Sequence, residues 1–170
     1  INAKVQRPSV CNAVEKILVH RDIAKNFLPM LKKAFEENKV EMRGDEKVRS
    51  IIEVIPATEK DWYEEYLDLI ITVGIVDSVD AAITHINKYS SHHTESILTK
   101  NKNNAEKFTK EVDSACCFVN ISTRFSDGGV FGLGAEIGIS TDKLHARGPM
   151  GVHDLTTYKY VVTGNGQIRQ

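Results

Sequence analysis

Along the chain, apolar residues recur first with a helical period and then with a strand-like one, in alternation. Ile23, Phe27, Leu31 and Phe35 are spaced by four between Asp22 and Asn38, with Ala24 and Leu28 beside them. This spacing predicts an amphipathic helix with Asp22 as its N-cap. A short strand over Val40 to Arg43, ended by Gly44-Asp45, and a short helix near Glu46 to Ile52 follow. Trp62 stands in a polar, acidic stretch, after which the apolar run Leu67 to Val76 reads as a buried strand. Asp77 or Ser78 caps a helix whose Val79, Ala82, Ile83 and Ile86 share one side. Thr94 to Thr99 has strand character, and the turn at Asn101 to Asn104 opens a helix marked by Ala105, Phe108 and Val112. Ser114 to Ile121, small and apolar, reads as a second buried strand. The alternation predicts an α/β fold, with helices crossing over a mainly parallel sheet.

After Ile121 the pattern changes. Ser122 to Gly138 is a Gly-rich loop region, and Tyr158 to Ile168 carries Tyr-Lys-Tyr-Val-Val, a Gly-Asn-Gly turn and Gln-Ile. That tail predicts an extended arm or hairpin, and an exposed apolar strand of this kind seeks a partner. The longest apolar run, Leu67 to Val76, is interrupted by Asp68, Thr72 and Gly74 and falls short of the ~20 residues that cross a bilayer, so no membrane span is expected.

Composition narrows the classes. The chain has 170 residues, 41% hydrophobic and 26% charged, which fits one globular domain that builds a core without disulfide or metal. Its 22 basic and 23 acidic side chains give a net charge of -1, which argues against general nucleic-acid binding. Three cysteines, two of them adjacent, suit a reducing, cytoplasmic location. The chain opens Ile-Asn-Ala-Lys, with neither an initiator Met nor a readable targeting leader.

Cys11 follows Pro8-Ser9-Val10 and precedes the helix formers Asn12 to Leu18. A helix starting there would place the sulfur at the positive end of the macrodipole and lower its pKa. The alternative is a small buried thiol at a turn. Cys116 and Cys117 lie inside a strand pattern, where burial leaves a thiol inert. His85, His92 and His93 have no Cys or carboxylate at a zinc-site spacing, and adjacent histidines on an extended segment point to opposite faces, so no metal is expected. Gly132, Gly134 and Gly138 lack the spacing of a dinucleotide fingerprint, and no amphipathic helix follows them, yet a loop this rich in glycine still suits the lining of a site. Arg124 either grips a carboxylate or phosphate or pairs with Asp127. Lys143, His145 and Arg147 form a second basic cluster, suited to an anion, a solvated face or an interface.

Several stretches carry a resemblance: Gln6-Arg7-Pro8-Ser9-Val10-Cys11-Asn12-Ala13-Val14-Glu15, Val119-Asn120-Ile121-Ser122-Thr123-Arg124-Phe125-Ser126-Asp127-Gly128, Phe131 to Thr141, and Leu144-His145-Ala146-Arg147-Gly148-Pro149-Met150-Gly151. The chain resembles the gamma-glutamyl phosphate reductase family of the aldehyde dehydrogenase superfamily. The resemblance implies an aldehyde-dehydrogenase-like catalytic domain over 1–151 and an oligomerisation arm over 152–170, with an NADPH-binding domain expected upstream of Ile1. It implies Cys11 as nucleophile toward L-glutamyl 5-phosphate, a thioester, and reduction by NADPH to L-glutamate 5-semialdehyde for proline biosynthesis. Thr123 and Arg124 become substrate-binding candidates. Glu65 becomes a cofactor-binding candidate, although Tyr66-Leu67 stands where the superfamily often has an aromatic-Gly-Pro run. A homo-oligomer and contact with glutamate 5-kinase are also implied, and the chain by itself is expected to be inactive. Two alternatives remain: the reductase part of a bifunctional pyrroline-5-carboxylate synthase, and a non-catalytic, self-associating fragment.

Overall fold

The computed structural model describes residues 1–170. A single helical turn, α1 (Asn2–Val5), leads into a loop and then β1 (Lys16–His20), α2 (Arg21–Glu37), β2 (Glu41–Gly44) and α3 (Glu46–Arg49). Next come β3 (Ile55–Pro56), α4 (Glu59–Tyr63), β4 (Ile70–Val76), α5 (Val79–Tyr89), β5 (Thr94–Ile97), α6 (Lys102–Glu111) and β6 (Cys116–Val119). A 3-10 turn at Thr123–Phe125 precedes the hairpin strands β7 (Gly138–Ser140) and β8 (Gly148–Met150), and a second 3-10 turn covers His153–Leu155.

The α/β expectation holds. Four parallel strands in the order β1-β4-β2-β3 form the main sheet, with Leu18 opposite Gly74 and Met42 opposite Ile71. β4 is central because it is apolar on both faces. Ile71 and Val73 enter a core with Leu28 and Phe35 of α2, both fully buried, and burial of each such side chain contributes about 1.5–3 kcal/mol. Thr72 and Gly74 face the other way, toward Tyr66 and Trp62. β5 and β6 make a separate parallel pair, backed by Ile83 of α5 and Phe108 of α6.

A methyl group on Gly74 would lie 2.9 Å from Trp62 Cη2 and 3.3 Å from Asp45 Oδ2. The indole cannot swing away freely, since it packs edge-on against His85 with ring centroids 4.7 Å apart. Gly74→Ala is therefore expected to destabilise the protein by ~1–3 kcal/mol, read as a lower urea midpoint.

Several expectations need correction. The segment after Cys11 is not a helix. Val14, Ile17 and Val19 turn toward the core, and Lys16 to His20 pair with Thr72 to Val76, so tertiary pairing overrides local helix propensity. On α2 the buried stripe runs through Ala24, Leu28 and Phe35, whereas Ile23 and Phe27 are exposed. A strict four-residue row drifts about 40° per step around a helix of 3.6 residues per turn and cannot stay on one face. The N-cap of α2 is His20, whose ring accepts from the Asp22 N–H at 3.3 Å. The short helix α4 was not foreseen; Thr58 and Asp61 form its capping box. In β6 only Cys116 is buried, since this two-stranded sheet is backed on one side. The tail forms no hairpin, and Tyr158, Tyr160, Val161, Val162 and Ile168 are all exposed. No helix is long and apolar enough to cross a membrane.

Candidate active site

Cys11 sits at the exposed tip of the loop between α1 and β1. The stem of that loop is closed twice. The Val14 N–H donates to the Ala3 carbonyl at 2.9 Å, and Lys4 Nζ, fully buried, pairs with Glu15 Oε2 at 3.0 Å. At the tip, the Ala13 N–H donates to the Val10 carbonyl at 3.0 Å and turns the backbone around the cysteine.

The turn at Ser122 to Ser126 grips the loop from the far end of the sequence. Thr123 Oγ1 donates to the Asn12 carbonyl at 2.7 Å, and Asn12 Nδ2 donates to the Ser126 carbonyl at 2.8 Å. Arg124 Nε donates to Gln6 Oε1 at 3.1 Å, and Ser122 Oγ donates to Asn2 Oδ1 at 3.0 Å. Thr123 is buried with its hydroxyl directed at the Cys11 loop. Arg124 differs: its terminal amino groups make no hydrogen bond to the protein, and its charge bears on the Cys11 sulfur. Asp127 is not its partner, and instead accepts from the Val130 N–H at 3.0 Å.

Electrostatics at the thiol run opposite to the helix-dipole expectation. Desolvation by the surrounding loops, then the Glu136 carboxylate and Glu65, push the Cys11 thiol above its ordinary range; its own backbone N–H and Arg124 oppose them. Glu136 is anchored by accepting the Gly128 N–H at 2.7 Å, so the Gly-rich loop does line this site. Glu65 is exposed and its carboxylate makes no hydrogen bond to the protein, while its neighbours are fixed. Lys16 Nζ donates to the Glu64 carbonyl, and the Tyr66 hydroxyl bonds Asp61 Oδ1 and Thr72 Oγ1, each at 2.7 Å. Burial above all pushes the Tyr66 hydroxyl up to about 12. Burial also works against the Asp61 carboxylate, but the Thr58 and Tyr66 hydroxyls and the Arg43 guanidinium outweigh it and hold this group well below the carboxylate range.

Sequence reasoning missed three groups here. Asn12 and Ser126 carry no motif of their own, and Glu136 is distant in sequence. His93 is buried, with Nδ1 2.7 Å from Thr94 Oγ1, and its Nε2 is buried without a partner. His92 turns the other way, toward the Asp113 carbonyl. Cys116 is buried and accepts from Ser126 Oγ at 3.3 Å, and burial raises the Cys117 thiol. Lys143 and Arg147 pair with Asp113 at 2.6 and 2.8 Å and hold its carboxyl down to about 2, so these two cations of the basic cluster are engaged within the chain, while His145 Nε2 lies 3.1 Å from the Asp154 carbonyl oxygen. No group of three His, Cys, Asp or Glu side chains is placed to hold a metal ion.

No family model matches the chain. A gamma-glutamyl phosphate reductase of Dictyoglomus thermophilum is 63% identical over 100% of this chain, and the match covers 41% of that protein. The chain is related along its whole length to the gamma-glutamyl phosphate reductases. The crystal structure of the gamma-glutamyl phosphate reductase from Thermotoga maritima superposes with a TM-score of 0.93 at 59% identity, over 100% of this chain and 41% of that one. The enzyme of the same name from Saccharomyces cerevisiae is more distant, with 30% identity and a TM-score of 0.58 over 77% of this chain and 33% of that one. The fold is thus that of the corresponding part of the gamma-glutamyl phosphate reductase structures, and the chain spans about two fifths of the length of the curated gamma-glutamyl phosphate reductases it matches.

Proposed function

We propose that this chain supplies the nucleophile and the substrate-binding arginine of an NADPH-dependent reductase that converts L-glutamyl 5-phosphate to L-glutamate 5-semialdehyde and phosphate. The observation that carries this reading is an exposed thiol, on a loop pinned from both sides, in a chain 63% identical throughout to a gamma-glutamyl phosphate reductase. The Cys11 sulfur attacks the acyl carbon, the carbon–oxygen bond to phosphate breaks, and its electron pair leaves with the phosphate. A thioester remains on Cys11, more electrophilic than an oxygen ester. The Cys11 backbone N–H, turned toward its own sulfur, is the donor this chain offers to the oxyanion. NADPH, when bound, supplies the hydride that reduces the thioester. Glu65 fits a role in holding it, since its free carboxylate beside the thiol has two acceptor oxygens for ribose hydroxyls. Collapse of the tetrahedral adduct breaks the carbon–sulfur bond and returns the thiolate to Cys11. Most of the cofactor site belongs, in this reading, to the remaining length of the enzyme, and the apolar tail pairs with a second copy.

Arg124 presents its free terminal amino groups to the substrate's carboxylate, while Thr123 acts through the loop it holds. The test runs in reverse, which avoids the labile acyl phosphate: the full reductase carrying this chain, with L-glutamate 5-semialdehyde, phosphate and NADP+, forms NADPH only when phosphate is present. Absence of phosphate-dependent turnover refutes the reading. Arg124→Ala is expected to raise KM about 10- to 100-fold with a smaller change in kcat, the loss of one charge-assisted contact.

A further inference from the structure

Glu65 carries an exposed carboxylate without a partner of its own, yet the backbone that bears it is fixed on both sides. Before it, Lys16 Nζ, at the start of β1, donates to the Glu64 carbonyl. After it, the Tyr66 hydroxyl donates to Asp61 Oδ1 at 2.7 Å and, having a single proton, accepts from Thr72 Oγ1 at 2.7 Å. Leu67 follows with φ at 54°, a left-handed conformation that a residue with a β-carbon keeps only where its surroundings impose it.

The anchor for Tyr66 is itself held. Asp61 is buried, and its Oδ1 also accepts from Arg43 Nη1 at 2.7 Å. Its Oδ2 accepts the Thr58 N–H at 2.7 Å and the Thr58 hydroxyl at 2.6 Å, so both oxygens are fully engaged. The Arg43 guanidinium lies 5.2 Å from the centre of the Tyr66 ring, and Lys16 Nζ lies 5.9 Å from it. Groups from β1, β2, α4 and β4 thus converge on one phenol. Thr72 carries the connection on to the nucleophile, because its backbone N–H donates to the Glu15 carbonyl at 3.1 Å, in the stem of the Cys11 loop. Apolar packing alone would hold α4 against the sheet. Hydrogen bonds add direction, which a side chain needs if it is to meet the hydroxyls of a ligand.

We infer that Tyr66 is a positioning residue for the cofactor: its hydroxyl fixes the Glu64–Tyr66 backbone to Asp61 and Thr72 and so sets where the Glu65 carboxylate meets the ribose hydroxyls of NADPH. Lys16 does the same from the other side of Glu65. Neither residue touches the cofactor. Phenylalanine in place of Tyr66 keeps the ring beside Arg43 but releases the segment, and a carboxylate that must be ordered on binding loses affinity.

Tyr66 holds this role only within the reductase reading, which assigns Glu65 to the cofactor. The test is equilibrium binding of NADPH to the full reductase carrying this chain, without acyl substrate, followed by nicotinamide fluorescence. Glu65→Ala is expected to raise Kd about tenfold or more, and Tyr66→Phe about five- to tenfold. In a protein already carrying Glu65→Ala, Tyr66→Phe is expected to add less than about twofold, since positioning matters only while there is a carboxylate to position. A merely structural hydroxyl would weaken binding equally in both backgrounds. Lys16→Met leaves the phenol network in place, is expected to repeat the pattern, and replaces Tyr66→Phe if that variant does not fold. Native affinity in Glu65→Ala removes Glu65 from the reading and overturns the inference with it, whereas phosphate-dependent turnover tests the reading separately. With Glu65→Ala weakened, native affinity in folded Tyr66→Phe or Lys16→Met, or equal losses in both backgrounds, overturns the inference alone.

Discussion

Replacing Cys11 with Ala is expected to lower reductase activity by about 10³-fold or more, with stability unchanged to within ~0.5 kcal/mol. The two effects separate because the side chain is exposed at the tip of its loop, whereas the contacts that shape the loop are made by other residues. Ala13 and Val10 close the turn, Asn12 and Thr123 pin it, and Lys4 and Glu15 hold its stem. Losing the sulfur removes the covalent route, since no other thiol can replace it: Cys116 is buried under Ser126, and burial keeps the Cys117 thiol protonated. The check is twofold: progress curves with and without phosphate, and mass spectrometry of the quenched enzyme for an added glutamyl group, expected on Cys11 in the native protein and absent in the variant. Substantial turnover by Cys11→Ala would remove the thioester from the mechanism.

Much of the main sheet was legible because a central parallel strand must be apolar on both faces, and Leu67 to Val76 announces that by its run of Ile, Val and Leu. The cap of α5 was legible to within one residue, as Asp77 or Ser78, because short polar side chains stand immediately before an apolar period; it is Ser78 that bonds the first turn, whereas Asn101, the cap of α6, was read only as part of a turn. Local reasoning failed where long-range pairing decides. Asn12 to Leu18 are acceptable helix formers, yet β4 offers Thr72 to Val76 as a partner edge, and Lys16 to His20 take it. The expected helix dipole at Cys11 vanished with that helix, and the thiol is raised instead of lowered.

The site was legible as a set of motifs rather than as a geometry. Cys11 and the turn at Ser122 to Ser126 stood out separately, but their mutual grip spans more than a hundred residues and is invisible to periodicity. The burial of His93 was hidden for another reason. A histidine beside a second histidine on an extended segment gives no sign of which ring is buried, and only the fold shows that His92 reaches the Asp113 carbonyl while His93 turns inward with Nε2 unpaired.

The second large effect is expected from Lys4→Met, at about 3–5 kcal/mol of lost stability, a sizeable part of the 5–15 kcal/mol typical of a folded domain. Lys4 is fully buried and Glu15 nearly so, and one Glu15 oxygen already lacks a partner. Burial raises the Glu15 carboxyl, and the charge and hydrogen bond of Lys4 are the main forces opposing that rise. Without Lys4 the carboxylate is left charged and alone in the interior, or it must take up a proton. The sign of the pH dependence follows. With its folded pKa pushed further above the unfolded value near 4.3, Glu15 favours the folded state at low pH and costs stability as pH rises through the folded pKa, so the deficit of Lys4→Met grows from about pH 4 toward pH 7. Urea midpoints across that range measure it, and the double variant Lys4→Met with Glu15→Leu is expected to recover most of the loss, because it removes both charges from the interior. A deficit below ~1 kcal/mol, or one that does not grow with pH, would mean that the Val14–Ala3 backbone bond alone closes the stem of the Cys11 loop.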